Sequence, residues 1–568
     1  MFYKSNWFFI IFFAVLFSFQ LINLDADPSP LKRWGDLGDE GYWLHNARVN
    51  VLFGNPRLDE LEMSYLGAPL FNALTNLSFK LFGISFFSGR LVSILSLWLI
   101  ILMLFFMLKP QFGQMKAMVS ASLFGFMHEV LMYAKWGTPV LLEMCLFTAI
   151  LFFYWLGSKN SNYYYLSGFS FAFAILAKLT AILFIPALLI FVLLEVIRER
   201  ISLLNFIKIL SAIILILIPF IIAFVIPNYP EYVVMFKYPA YTKGGFNLIT
   251  FIKQIIWLPL LFKTFQYPTA LFVFIAAIFY FVTKFFSLFY TNWKKTLNEL
   301  SVVELYCISW IIGGSIALCI NGQMGYDRRL VHFYVPFFIL ALYYIFNLKE
   351  VLLPIFIQKS KFIKLFLITV IGLLISGYLI QTYVVALSHW LNISSITNTL
   401  RTRHLLILAI PLGLSLSYVY FKGNSHQLKR VLVFSFLFTN IAFNSIWYGM
   451  ATFTLRDEST IIKSFSSKGM YVTGWLDFWL VINNEILPIW YWRTYKENNG
   501  INIWFRDYMK SGEFLLLSPD WNLSKSVYID TDQFEHSQLE LLRKINLCPL
   551  PFTGKYRDQL ELYVVNQK

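Results

Sequence analysis

The chain has 568 residues, of which 58% are hydrophobic and 19% aromatic, while only 14% are charged. This composition excludes an ordinary soluble domain and indicates a polytopic membrane protein. Much of the formal net charge of +15 lies in short loops between apolar segments, where membrane orientation and anionic headgroups explain it, so no nucleic-acid partner is expected.

The predicted fold class is mostly α, a polytopic helical membrane bundle with a C-terminal soluble α/β domain. A membrane span needs about 20 apolar residues, and on that template we count about thirteen spans. The first, residues 7–24, has no cleavage site after it and is predicted to be a retained anchor. The others lie near residues 88–108, 114–134, 138–157, 163–178, 179–197, 205–226, 267–289, 303–320, 330–347, 362–387, 404–421 and 429–449.

One set of alternate loops is richer in Lys and Arg than the other and is therefore predicted to be cytoplasmic. That set includes Lys109, Lys116, Lys159, Arg198, Arg200, Lys208, Lys294, Lys295, Lys359 and Lys361. With this orientation the long first loop, residues 25–87, and everything after residue 450 are extracytoplasmic. We accordingly divide the chain into a membrane domain, residues 1–450, and an extracytoplasmic domain, residues 451–568.

The C-terminal domain is predicted to be α/β because strand and helix patterns follow one another. Alternating apolar segments predict strands at Met470–Trp475, Phe514–Ser518 and Leu560–Val565. Helical patterns at Glu458–Phe465 and Gln533–Ile545 separate them.

The first outer loop concentrates charge in the segment 35–48, where Asp39 and Glu40 begin a helical pattern that runs to Phe53. This helix is expected at the membrane interface, with an aromatic face towards the bilayer. Acids favour the first turn of a helix because they meet its positive dipole end. Alternatively, one carboxylate beside a cleft acts as a general base, with Asp39 leading and Glu40 assisting.

Further ionisable residues lie at the outer ends of later spans. Glu143 lies inside the fourth span, where an acid usually faces the bundle interior or a water-filled cavity and marks function, although a paired structural carboxylate is the alternative. Lys135 and Lys178 either extend to lipid headgroups or bind a phosphate at the same surface. His128 and Glu129 are expected to be structural.

Two adjacent arginines, Arg328 and Arg329, start a later span at the outer interface. Guanidinium groups form paired, charge-assisted hydrogen bonds to phosphate oxygens, and headgroup anchoring is the equally weighted alternative. The seven histidines show no spacing typical of a zinc site, and the sequence has no glycine-rich phosphate loop.

Several segments resemble the GT-C class of membrane glycosyltransferases, within the branch of the protein O-mannosyltransferases and the lipid A aminoarabinose transferase. They are Asp39-Glu40 with Tyr42 and Ala47-Arg48, Pro69–Phe71, Lys80–Gly83, Gly89-Arg90, Gly137-Thr138 with Leu142-Glu143, Ala174–Thr180 with Pro186, and Arg328–Pro336. One departure is Gly67-Ala68, where the aminoarabinose branch has an acidic-basic pair, so phosphate contacts are expected from Lys178 or from Arg328 and Arg329.

The resemblance implies transfer of a hexosyl or pentosyl group from a polyprenyl-phosphate donor to a lipid, glycan or protein acceptor, with inversion at the anomeric carbon. Asp39 would accept the proton of the acceptor, and Glu40 and Glu143 would complete the acid site. Lys178, Arg328, Arg329 and Lys135 would stabilise the phosphate leaving group. No metal is needed if these cations supply the charge, and a carboxylate-bound divalent cation is the alternative.

Two other functions remain open at this point. One is an oligosaccharide or polysaccharide ligase or polymerase, and the other is a transporter of a lipid-linked sugar. The abundance of Phe, Ile and Lys favours a bacterial inner membrane as the location, where membrane lipids surround the protein.

Overall fold

The structure is a computed structural model. It describes residues 6–26, 39–56, 63–237, 293–320 and 330–346, helical positions within 273–284 and 430–445, and four strands between residues 470 and 565. The predicted spans at 362–387 and 404–421 and the predicted helix at Glu458–Phe465 lie outside the described residues.

The described membrane part is helical. Its helices are α1 Asn6–Leu21, α2 Asp39–Phe53, α3 Met63–Gly67, α4 Pro69–Phe82, α5 Phe86–Phe112, α6 Gln114–Gly125, α7 His128–Ala134, α8 Val140–Gly157, α9 Tyr163–Ala177, α10 Ile185–Ile197, α11 Leu203–Phe220, α12 Tyr229–Lys237, α13 Trp293–Glu299, α14 Val302–Ile320 and α15 Tyr334–Phe346. Short 3₁₀ helices at Leu179–Phe184 and Val331–Phe333 precede α10 and α15.

Local sequence explains several helix ends. Proline is the first residue of α4, where its missing N–H costs nothing, and Gly83 ends that helix with a φ of 78°. The Ser202 hydroxyl at the start of α11 accepts a hydrogen bond from the Asn205 N–H at 3.3 Å. These signals fix the boundaries within a largely uniform apolar sequence.

Within the described residues, five helices are long and apolar enough to cross a membrane, or six if one bent pair counts as a single span. They are Phe86–Phe112, Val140–Gly157, Leu179–Ile197, Leu203–Val225 and Val302–Ile320, and three shorter apolar helices are Trp7–Leu21, Tyr163–Ala177 and Val331–Phe346. Each coincides with a predicted span to within a few residues. The prediction of a helical membrane bundle is confirmed, whereas the total of thirteen stays a prediction.

The predicted span 114–134 is not one straight helix, because α6 and α7 meet at an angle of 62°. The amide of His128, the first residue of α7, donates to the Asn440 side-chain oxygen at 2.7 Å. The His128 ring contacts the Asn444 side chain at 2.9 Å. A helix start leaves unsatisfied N–H groups, which are costly inside an apolar span. The Asn440 side chain satisfies one of them and so stabilises the break.

Four strands form one sheet after residue 469, in the order β1-β2-β4-β3. They are β1 Met470–Val472, β2 Phe514–Leu517, β3 Leu539–Pro549 and β4 Tyr556–Val565. β1 runs parallel to β2, while β4 is antiparallel to both β2 and β3. Three strands were predicted. The predicted helix Gln533–Ile545 is wrong from Leu539 onward, because a bulge between Leu541 and Arg543 breaks the strand alternation and imitates helical spacing.

The described chain divides into two compact units. The first comprises residues 1–16, 96–133 and 140–445, and the second comprises residues 17–95, 134–139 and 446–568. In the first unit α9 packs against α8 and α11, and α14 packs against α10. In the second, α2 packs against α4. The domain boundary at residue 450 stays a prediction.

Candidate active site

Asp39, the predicted general base, is the first residue of α2. Its side chain lies outside the described part of the structure, but the helix that carries it is well defined by burial. Leu44, Ala47 and Arg48 are fully buried, and Trp43 is buried as well. The predicted orientation of Trp43 and Ala47 towards the bilayer is therefore wrong, because both side chains are buried within the protein, whereas the interfacial position of α2 stays a prediction.

Glu40 follows Asp39 and anchors α2. Its carboxylate is fully buried. Arg90 of α5 donates from Nε to Oε1 at 2.7 Å and from Nη2 to Oε2 at 2.8 Å. The Gly137 N–H adds a third hydrogen bond, to Oε1 at 2.7 Å. A buried carboxylate bound by a two-pronged guanidinium and a backbone N–H holds its helix in a single position.

Arg90 also binds the chain segment that follows α1. Its Nη1 donates to the carbonyls of Leu24 and Ala26, at 2.9 Å and 2.6 Å. The guanidinium carbon lies 4.5 Å from the centre of the Phe86 ring, a cation–π distance. One side chain therefore ties the end of α1 to the start of α2.

Lys135 lies in the loop between α7 and α8 and is buried. Its ammonium donates to the Ile22 carbonyl, next to the carbonyls that Arg90 binds. Burial, and to a lesser extent the nearby Arg90 charge, lower the pKa of Lys135 from 10.5 to about 7. The phosphate role of Lys135 stays a prediction.

Two glycines allow α2 to lie this close to its neighbours. A Cβ on Gly137 would lie 2.6 Å from Leu44 Cδ1 and 3.1 Å from Glu40 Oε1. A Cβ on Gly89 would also lie 2.6 Å from Leu44 Cδ1. The two distances of 2.6 Å are shorter than carbon atoms tolerate, so a larger residue at either position would force the Leu44 side chain to shift.

The first unit contains a second cluster of charged groups, around Glu143. Glu143 is in the first turn of α8 and is fully buried. Its Oε2 lies 3.1 Å from His332 Nε2 and 3.7 Å from Lys178 Nζ. The structure thus brings together Glu143 and Lys178, both predicted from the sequence, and adds His332.

Aromatic rings hold His332 in place. Its ring meets Phe147 and Phe184 edge-on, with centroids 5.3 Å and 5.2 Å away. Phe184 stacks in turn on Trp310, with centroids 5.0 Å apart and the planes inclined by 3°. Lys178 occupies the extended junction between α9 and the following 3₁₀ helix, with φ −164° and ψ 121°.

The remaining candidate residues lie outside these two clusters. Arg328 and Arg329 lie outside the described residues. His128 and Glu129 are buried, as expected of structural groups. Within the part of the chain that the structure describes, no group of three or more His, Cys, Asp or Glu side chains is arranged to hold a metal ion.

Three residues of these clusters had no role assigned from the sequence: Arg90, Gly137 and His332. Arg90 and Gly137 belong to segments that carry the family resemblance, and that was the available signal. His332 follows the basic pair by a few positions, but nothing in its spacing indicated a contact with Glu143, which is distant in the chain.

The apolar helices define the class as an integral membrane protein, and comparisons with known proteins give its fold. Residues 67–225 match the family model described as dolichyl-phosphate-mannose-protein mannosyltransferase. The crystal structure of ArnT from Cupriavidus metallidurans bound to undecaprenyl phosphate superposes with a TM-score of 0.54 and 14% identity, covering 98% of each chain.

The same ArnT in the apo state superposes with a TM-score of 0.53 and 13% identity, covering 98% of this chain and 97% of that one. Nothing matched in the comparison with curated protein sequences. The resemblance to the GT-C class is confirmed, and the chain has an ArnT-like fold along almost its whole length.

Proposed function

We propose that the protein is a membrane glycosyltransferase that moves a sugar from a polyprenyl-phosphate donor to an acceptor on the extracytoplasmic face of a bacterial inner membrane. The observation that supports this most is the fold, which extends over 98% of the chain and of an ArnT bound to undecaprenyl phosphate. The match of residues 67–225 to a mannosyltransferase family supports the same reaction class.

The proposed reaction is a direct displacement at the anomeric carbon. The acceptor hydroxyl oxygen bonds to that carbon, its proton passes to the Asp39 carboxylate, and the carbon–oxygen bond to the phosphate breaks. Polyprenyl phosphate leaves with the bonding electron pair. Inversion of the anomeric centre follows from this single step, whether the sugar is a hexose or a pentose.

The contacts of Glu40 give it an assisting role. Its three hydrogen bonds to Arg90 and Gly137 fix the first turn of α2, on which Asp39 lies. A general base is effective only where its oxygen stays within hydrogen-bond reach of the proton it accepts. Glu40 therefore assists by holding the helix rather than by binding the acceptor.

Lys178 is the proposed cation for the leaving phosphate, together with Arg328 and Arg329, because negative charge builds on the phosphate oxygens as the bond breaks. Glu143 keeps the Lys178 ammonium at this position through charge, at 3.7 Å. A lysine at the end of a flexible stem can follow a phosphate as the bond lengthens.

The test uses the purified full-length protein in detergent, supplied with a radiolabelled polyprenyl-phosphate sugar and candidate acceptors. We expect release of polyprenyl phosphate, lowered about 10²- to 10⁴-fold by Asp39→Asn, the usual contribution of a general base. Asp36→Asn, a nearby carboxylate without an assigned catalytic role, is the matched control and should retain transfer. Full activity of Asp39→Asn, or intact donor carried across a vesicle membrane without release of polyprenyl phosphate, would refute the proposal.

A further inference from the structure

Two short 3₁₀ helices of the first unit carry the residues around Glu143. Leu179–Phe184 begins directly after Lys178, and Val331–Phe333 contains His332. The hydrogen bonds of a 3₁₀ helix are poorer than those of an α-helix, so packing against other elements decides where such a helix lies. The elements that contact these two helices therefore set the position of the polar residues beside them.

The backbone of Lys178 is bound to the first of these helices. Its N–H donates to the Ala174 carbonyl at 3.1 Å, at the end of α9, and its carbonyl accepts from the Ala181 N–H at 2.9 Å, inside the 3₁₀ helix. Lys178 is thus held between α9 and the helix that ends at Phe184. A displacement of that 3₁₀ helix would move the lysine with it.

The last residues of the two 3₁₀ helices, Phe184 and Phe333, meet at one point of α14. Their ring centroids are 6.2 Å apart, and the Phe184 ring lies 5.2 Å from the His332 ring. A Cβ on Gly314 of α14 would lie 3.0 Å from Phe333 Cε1 and 3.1 Å from Phe184 Cε1. Trp310, one turn earlier in α14, stacks on the Phe184 ring. Gly314 therefore contacts both 3₁₀ helices at once.

Glycine is required at position 314 because two rings occupy the space in which a side chain would begin. Contacts of 3.0 Å and 3.1 Å are tighter than ordinary carbon contacts, so a methyl group would displace its neighbours by a few tenths of an ångström. Both rings are buried, and a close-packed interior passes such a shift on to the helices that carry them. The shift would change the position of Lys178 relative to Glu143 and His332.

We propose that Gly314 is a positioning residue of the donor-phosphate site. By letting Phe184 and Phe333 lie side by side against α14, it holds the 3₁₀ helix that begins at Lys178 where the lysine can bind the phosphate of the lipid-linked donor. Gly314 acts through Phe184 and does not touch the phosphate. This inference rests on the proposed function, in which Lys178 binds that phosphate, and deepens it.

The test measures the Kd of undecaprenyl phosphate for the full-length protein in detergent, together with the donor KM and kcat. We expect Gly314→Ala to raise the Kd and to lower kcat/KM about tenfold, because misplacing a binding group by a fraction of an ångström already weakens catalysis. Most of the loss in kcat/KM should appear in kcat, since charge builds on the phosphate as its bond to the sugar breaks.

Gly157→Ala is the matched control. It adds the same methyl group, and its Cβ would lie 2.8 Å from Tyr164 Cδ1. Gly157 is the last residue of α8, about 20 Å along the helix from Glu143. This variant should lower the thermal midpoint at least as much as Gly314→Ala, yet bind undecaprenyl phosphate within about twofold of the wild type. A merely structural role of Gly314 predicts the same pattern for Gly314→Ala.

Phe333→Leu supplies a second test, because it shortens the side chain that the methyl group of Gly314→Ala would meet at 3.0 Å. Alone, it removes the ring contact with Phe184 and should raise the Kd about threefold. Combined with Gly314→Ala, it should bind about as well as Phe333→Leu alone, because the methyl group and the Phe184 ring then have room and the two losses are not additive.

Three results would overturn the inference. They are a folded Gly314→Ala that binds undecaprenyl phosphate like the wild type, a double variant in which the two single losses multiply, and an equal loss of phosphatidylglycerol binding, which would indicate a general headgroup site. If Gly314→Ala does not fold, Phe333→Leu decides, since wild-type affinity in that variant would show that the contact between the 3₁₀ helices is not needed.

Failure of the proposed function would give a different result. A wild type that binds undecaprenyl phosphate and loses affinity with Gly314→Ala, but releases none from a labelled donor, refutes the transferase and leaves the phosphate site standing. A wild type that transfers sugar at a rate unchanged by Gly314→Ala refutes the role of Gly314 alone.

Discussion

Arg90 makes four described hydrogen bonds, and no sequence pattern indicated this role. It binds both oxygens of Glu40 and two carbonyls after α1, all from a buried position. Arginine suits this role because its planar group presents five donors in a fixed geometry, which lysine does not. The position of the helix that carries Asp39, the proposed general base, therefore depends on Arg90.

Removing Arg90 should destabilise the protein strongly. We expect Arg90→Met to lower the free energy of unfolding by about 3–5 kcal/mol, because Glu40 remains as an uncompensated buried charge. The thermal midpoint of the detergent-purified protein is the measurement. Glu40→Leu combined with Arg90→Met should recover part of the loss, and Arg200→Gln, which removes an exposed donor to the Asn298 carbonyl, is the control. A single variant as stable as the wild type would contradict the anchoring role.

The sequence indicated the buried acids and cations as candidates, but it did not indicate which residues they contact. Asp39, Glu40, Glu143 and Lys178 stood out because charge is scarce in an apolar chain, and an intramembrane acid is a functional signal on its own. Which residues neutralise them is set by tertiary contacts: Arg90 reaches Glu40 from 50 residues away. His332 could not be identified because a single histidine carries no such signal.

At the scale of the elements, the loop between α7 and α8 carries Lys135, whose pKa is far below that of an exposed lysine. The folded pKa of Lys135 is about 7, against 10.5 for an exposed lysine. Between these two values the unfolded chain binds a proton that the folded chain does not. The free energy of unfolding therefore rises with pH across this window. Below pH 7 the folded protein carries the full destabilisation of keeping the Lys135 ammonium buried.

This predicts a pH-dependent difference between the wild type and Lys135→Met. From pH 7 to pH 9.5 the thermal midpoint of the wild type should rise relative to that of the variant by several degrees, about the effect of a few kcal/mol. The lost hydrogen bond to Ile22 shifts the variant by an amount that does not depend on pH. Lys159→Met, at an exposed position, should leave the slope of the wild type unchanged. A constant difference across the range would refute the assignment.

Element boundaries followed from the sequence wherever apolar runs were bounded by turn residues. The exceptions have physical causes. The break between α6 and α7 is stabilised by Asn440, far along the chain, so no local signal reveals it. Part of strand β3 has the apolar spacing of a helix because its bulge shifts the apolar residues by one position.

At the scale of the whole molecule, helices must associate where lipid offers no hydrophobic driving force. Close packing then depends on small residues at contacts. A Cβ on Gly168 of α9 would collide with the Ile209 carbonyl of α11 and lie 2.9 Å from Ala212 Cβ. The contact between α9 and α11 is therefore made backbone to backbone.

We expect Gly168→Leu to separate α9 from α11 and to lower the yield and thermal midpoint of the protein, with a loss of about 1–3 kcal/mol or more from overpacking. Leu166→Phe, on the exposed side of α9, enlarges a side chain away from this contact and should behave like the wild type. Both variants are compared by size-exclusion profile and thermal midpoint in one detergent. Equal stability of the two would show that the close contact is dispensable.

The class of the fold was predictable from the whole chain because its apolar spans and scattered motifs occur in a characteristic order. Membrane sidedness, the number of spans and the α/β character of the C-terminal domain stay predictions. Sidedness depends on the surrounding bilayer, and the other two depend on residues outside the described ranges.

The cap on α7 has a consequence for biogenesis. The His128 amide is satisfied by Asn440, a partner 312 residues later in the chain. During synthesis, α7 is inserted long before its acceptor exists, so its first turn has to wait in a provisional state until nearly all later spans have been made. The cap on α7 thus forms only after residue 440 has been made, and a truncation before residue 440 should destabilise the start of α7 at residue 128.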